Sequence, residues 1–190
     1  MSRALHLAAT VVFAMALPVS AQQSRISDTR DTFQFQLNGT TVTIERSGAS
    51  CPPACVQPMQ AASGVGTIGE LEVMDFLELF VSQGAGLLID ARLPEGFSAG
   101  TIPGAVNVPE ATLRPGNPYR DDLLRALGVR NGDFSNAFDL VLFGSGADDG
   151  GAAEAVRSLL AVGYPATKLK YYRGGVQSWT GLGLSTASGG

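Results

Sequence analysis

The chain of 190 residues carries 13 Lys and Arg against 17 Asp and Glu, a formal net charge of −4. That length suits one domain with a small appendage, and the acidic balance argues against nucleic acid or an anionic membrane surface as a partner. With one histidine and two cysteines, little nucleophile or metal-ligand chemistry is available.

Residues 1–21 read as a signal peptide. Arg3 supplies a positive charge, residues 5–17 are a short apolar run, and Val19-Ser20-Ala21 has the small-residue cleavage pattern. The run is shorter than the ~20 residues a membrane span needs. Cleavage after Ala21 and a periplasmic or secreted product are therefore expected, rather than an integral membrane protein. His6 would leave with the signal, and with it Ser-His-Asp catalysis, Cys-His catalysis and histidine-ligated metal.

Residues 22–46 form an N-terminal β-hairpin segment. Phe33, Phe35 and Leu37 alternate with polar residues, Asn38-Gly39 is a two-residue turn signal, and Val42 and Ile44 alternate on the return. A lone hairpin is marginally stable, so it is expected to pack on the main domain. Residues 47–66, rich in Gly, Pro, Ser and Ala, read as a linker. Within it lies Cys51-Pro52-Pro53-Ala54-Cys55. In an oxidising compartment such a pair most simply forms a structural disulfide. A labile redox pair is the alternative, and two thiolates without histidine make half a zinc site. No metal and no cofactor are expected.

Residues 67–184 form the main domain. The spacing of Val73, Phe76, Leu77 and Phe80 predicts a helix over 69–82. Apolar runs predict buried strands at 87–91 and 140–143. Shorter strands are expected at 105–108 and 168–172, helices at 119–127 and 152–161, and a last helical turn carrying Trp179. Residues 185–190 are expected to be a disordered tail. The alternation implies an α/β fold, a largely parallel sheet with helices on both faces. Ligands in such sheets sit beyond the carboxyl ends of the strands, where the loop after Phe143 lies.

Two stretches carry a resemblance. The first is Leu88-Ile89-Asp90-Ala91-Arg92, then Glu95-Gly96-Phe97, Gly100-Thr101-Ile102-Pro103-Gly104-Ala105 and Asn107-Val108-Pro109; the second is Tyr171-Tyr172-Arg173-Gly174-Gly175-Val176-Gln177-Ser178-Trp179. Together, in this order, they resemble the rhodanese-like (sulfurtransferase) domain family. The resemblance implies that fold over most of the chain, with Asp90, Arg92 and Trp179 as structural framework. Thr101 stands where the family usually has histidine.

The family attacks sulfur with a cysteine thiolate at the end of the strand here ending at Phe143, and cradles the persulfide with loop amides. This chain has Gly144 there, and glycine offers no nucleophile. The pocket loop reads Gly144, Ser145, Gly146, Ala147, Asp148, Asp149, Gly150, Gly151. Ser145 is the nearest hydroxyl and needs a base. Asp148 and Asp149 oppose an anionic donor, Asp149 reads as a helix cap, and the pair alone is a weak cation signal. The expectation is a pseudoenzyme, a binding or scaffolding module for an unknown protein or a small sulfur-containing anion. The alternative is a sulfurtransferase or thiol-redox protein using Cys51 or Cys55 folded over the pocket. An ion-binding sensor is a third class.

Overall fold

A computed structural model describes residues 25–189. The expected signal peptide, its cleavage site after Ala21, and Gly190 lie outside the described residues. Among the described residues no helix is long and apolar enough to cross a membrane.

The hairpin forms where the alternation places it. Strands β1 (Phe33–Leu37) and β2 (Thr40–Ile44) pair antiparallel, with Phe33 opposite Ile44 and Phe35 opposite Val42. Asn38 and Gly39 both take positive φ, the two-residue turn that matches strand twist. The hairpin does not bury its apolar face on the domain: Phe33, Phe35, Leu37 and Ile44 stay exposed. Expected packing is thus replaced by anchorage through polar contacts at its base, where Val56 donates its amide to the Ile26 carbonyl.

The main domain alternates strand and helix: β3 (Gly66–Thr67), α1 (Glu70–Phe76), β4 (Gly86–Asp90), α2 (Pro94–Ala99), β5 (Ala105–Asn107), α3 (Glu110–Leu113), α4 (Arg120–Ala126), β6 (Asp139–Phe143), α5 (Gly151–Ala161), β7 (Leu169–Tyr172) and α6 (Gly175–Gly181). A π-helical turn, Leu77–Val81, extends α1, and a 3₁₀ turn, Ala166–Lys168, precedes β7. Five strands form one parallel sheet in the order β3-β7-β6-β4-β5. The α/β expectation holds, including helices on both faces.

Strict side-chain alternation explains why the central strands are apolar throughout. Ile89, Leu140, Leu142 and Tyr171 face one layer, against Val156 and Leu159 of α5. Leu88, Val141, Phe143 and Tyr172 face the other, against Val73 and Phe76 of α1 and Trp179 of α6. Short polar-bounded pieces escaped the sequence reading. Helices α2 and α3 are too brief to show a period, and β3 starts inside the expected linker. Of the tail expected to be disordered, residues 185 and 187 are instead tied down. Ala187 exchanges backbone bonds with Thr101, and the Trp179 indole donates to the Ser185 carbonyl at 2.8 Å.

Candidate functional site

Strand β6 delivers the chain to loop 144–151, which enters α5. The loop lies at the carboxyl edge of the sheet, the place a parallel sheet offers a ligand. Its shape depends on Asp149. One carboxylate oxygen, Oδ2, accepts the Ser145 amide at 2.7 Å, and the other, Oδ1, accepts the Gly151 amide at 2.8 Å. The carboxylate therefore fills the concavity that the loop's own amides create. A Cβ on Gly144 would stand 2.5 Å from Asp149 Oδ2. Glycine at 144 and aspartate at 149 fit each other sterically.

Helix α6 closes the loop from below. Val176 and Gln177 donate their amides to the carbonyls of Gly144 and Ser145 at 3.1 and 2.8 Å. Gly175 makes this approach possible: its φ is +58°, and a Cβ there would meet the Gly144 carbonyl oxygen at 2.4 Å. Any other residue would push α6 off the loop.

The segment before the domain folds across the same loop. The Gln57 amide donates to the Ala147 carbonyl at 2.9 Å, and Arg173 donates twice to the Gln57 carbonyl, at 3.0 and 2.8 Å. Arg46, at the foot of the hairpin, pairs with Asp148 at 2.8 Å and donates also to the Ala54 carbonyl. Cys51 and Cys55 are joined as a disulfide, and both are buried. Asp28 Oδ1 lies 3.1 Å from Cys55 Sγ, but sulfurs bonded to each other present no thiolate to an ion. Between this strap, α2, α3 and the loop opens a cavity of about 680 Å³. Pro53 and Ala54 form its strap side; Arg92, Glu110, Asp149 and Gln177 are among the groups opposite.

The framework residues gather beside it. Asp90, fully buried, accepts the Arg92 amide at 3.0 Å, the Arg92 guanidinium at 2.6 Å and the Thr101 hydroxyl at 2.7 Å. Arg92 also donates to the Gly100 carbonyl at 2.7 Å, and Asn107 bridges the carbonyls of Asp90 and Arg92. A buried carboxylate is tolerable only when satisfied in this way. Arg92's positive charge is thereby committed inward, even though the residue borders the cavity. Trp179 lies in the core and does not line the cavity. Ser145 does line it, but the described residues include no histidine to activate its hydroxyl.

The sequence reading marked the loop after Phe143 as the pocket and took Asp90 and Arg92 as framework; the structure sets Arg92 on the same cavity as the loop. The sequence reading missed Arg46, Gln57 and Gln177, which reach the site from distant elements. Arg46 sits 102 positions from its partner Asp148, and no local spacing encodes that pair.

No curated protein matches the chain. Among solved structures, a protein of unknown function from Rhodopseudomonas palustris, described as a possible tyrosine phosphatase, is 19% identical over 67% of this chain and 88% of its own, with a TM-score of 0.49. Thiosulfate sulfurtransferase from Pseudomonas aeruginosa is 21% identical over 66% of this chain and 21% of its own, at 0.48. A human single-domain sulfurtransferase is 25% identical over 62% and 96%, at 0.45. Residues 74–182, more than half of the chain, match the family described as Rhodanese-like domain. The protein belongs to the rhodanese-like domain family.

Proposed function

We propose that this is an exported rhodanese-like domain that does not transfer sulfur and serves as a binding or scaffolding module. The observation that carries this reading is the Asp149 carboxylate seated on the Ser145 and Gly151 amides, beside a residue with no side chain. A persulfide or a thiosulfate sulfur bound there would need those amides and would meet a fixed negative charge. A small sulfur-containing anion, one of the two ligand classes expected from the sequence, therefore fits poorly, and a protein segment fits better. Export is supported by the N-terminal sequence pattern and agrees with a closed disulfide. The thiol-redox alternative loses ground because both sulfurs are buried and bonded to each other.

A thiosulfate:cyanide assay on five proteins tests the reading. The mature chain should be inactive and Gly144→Cys only weakly active. Gly144→Cys/Asp149→Ser should gain on the order of tenfold over the single variant, since it frees both the space and the amides. Gly144→Cys/Asp148→Ser should gain little, because Arg46 already neutralises Asp148. Turnover by the mature chain that disappears in Cys51→Ser/Cys55→Ser would replace this reading with thiol chemistry.

A further inference from the structure

The construction of the hairpin strands is not explained by the pocket, whose lining includes none of their residues. Strand β1 reads Phe33-Gln34-Phe35-Gln36-Leu37, with every apolar residue on one face and every glutamine on the other. Phe33 and Phe35 stack with ring centroids 5.9 Å apart, yet each is 39% exposed, and Leu37 and Ile44 are 54% and 50% exposed. The sheet has only two strands, so β1 and β2 each present an unpaired backbone edge. Natural edges are usually blunted by charge, proline or a bulge. From residue 33 to 44 there is no charged residue and no proline, and the pairing register runs unbroken. Within the strands themselves this edge carries no charge; Arg30, just before β1, lies over the Phe33 ring at 5.1 Å.

The turn fixes which backbone groups are free. A two-residue turn at Asn38-Gly39 makes Leu37 and Thr40 a hydrogen-bonded pair, and alternation does the same for Phe35–Val42 and Phe33–Ile44. The amides and carbonyls of Gln34 and Gln36 consequently point to the open edge.

We propose that β1 is a pairing edge for a second copy of this chain. About a two-fold axis through Phe35, an antiparallel partner strand places Gln34 opposite Gln36 of the other copy, completing four backbone bonds with the groups left free. Phe35 then meets Phe35, and Phe33 meets Leu37. The strand is self-complementary in this register, apolar against apolar and amide against amide, with no like charges opposed. Hairpins alone are marginal, and joining two gives a four-stranded sheet, within the range that is independently stable. The exposed apolar area is of the order of a few hundred Å², below the ~800 Å² per partner of a standard interface. Association is therefore weak and concentration-dependent.

Sedimentation of the mature chain across about 1–500 µM, the range in which a small interface assembles, tests the proposal. Monomer should give way to dimer as concentration rises. Phe35→Lys, which sets two like charges on the axis, and Gln34→Pro, which removes a backbone amide facing the open edge, should each abolish the dimer. Because the apolar residues of β1 are not buried on the domain, Trp179 emission should be unchanged in both, separating lost pairing from an unfolded domain. Under mild oxidation Phe35→Cys should link copies through position 35, while Phe33→Cys should link only when Leu37→Cys is added. A monomer at every concentration, a dimer indifferent to both substitutions, or self-linking of Phe33→Cys equal to that of Phe35→Cys would overturn it. A strand kept for a different protein would give the first of those results.

Discussion

At the scale of single residues, Asp149 sets the shape of the loop between β6 and α5. It satisfies two amides that otherwise face an empty concavity. Removing it in Asp149→Ala strands both half-buried donors, at a cost of about 1–2 kcal/mol once solvent reaches them. Asp148→Ala breaks only a partly exposed ion pair with Arg46, for which roughly 0–1 kcal/mol is the usual range. Urea denaturation followed by the single tryptophan should therefore rank Asp149→Ala well below Asp148→Ala in stability. Equal losses would mean that the loop does not depend on its carboxylate. That Gly144 follows the apolar strand β6 was legible in the sequence, because an identity needs no geometry. The seating of Asp149 was only half legible. Its place before a helix suggested a cap, but whether it also reaches back to Ser145 depends on how tightly the loop turns.

At the scale of elements, the strap is the least expected part. Composition marked residues 47–66 as a linker, and a linker is ordinarily slack. Here Gln57 is held by Ala147 and Arg173, and Pro53 and Ala54 become a wall of the cavity. The disulfide keeps that wall in shape. In the chain-entropy account a bridge closing so short a ring stabilises by about 2 kcal/mol. Cys51→Ser/Cys55→Ser should lower unfolding free energy by that amount and expose strap residues to limited proteolysis, while the far side of the sheet stays protected. Thiol titration of the unreduced, denatured protein should find no free thiol. If the variant keeps both its stability and its protease resistance, the polar contacts alone hold the strap. The hairpin teaches a related lesson. Its strands and turn were written in alternation and in Asn-Gly, whereas its separation from the domain depended on what the domain left uncovered, which no local pattern records.

At the scale of the whole molecule, the two ends of the domain are joined by one carboxylate. Glu70 opens α1 and accepts hydrogen bonds from the Tyr172 hydroxyl on β7, at 2.8 Å, and from the Ser178 hydroxyl on α6. The Ser178 bond, then the Tyr172 bond, hold the Glu70 carboxyl below its ordinary value of 4.5, while burial, then the bond to Glu70, push the Tyr172 phenol up. A carboxyl depressed by folding stabilises the fold at pH above its unfolded value, and that contribution disappears as pH falls through the lower folded value. A phenol raised by folding acts in the opposite sense, contributing below its unfolded value near 10 and losing that contribution in alkali. The clamp should thus be strongest around neutral pH. Because Glu70 retains some solvent contact, its share is modest, about 1 kcal/mol or less after screening. Comparing urea stabilities of the parent and Glu70→Gln should show the parent ahead at pH 7 and the gap closing as the pH drops from about 4.5 toward 3, below the ordinary carboxyl range. A gap that stays constant across that interval would mean that Glu70 joins α1 to α6 by packing or by a neutral bond, and that its charge contributes nothing to holding the ends of the domain together.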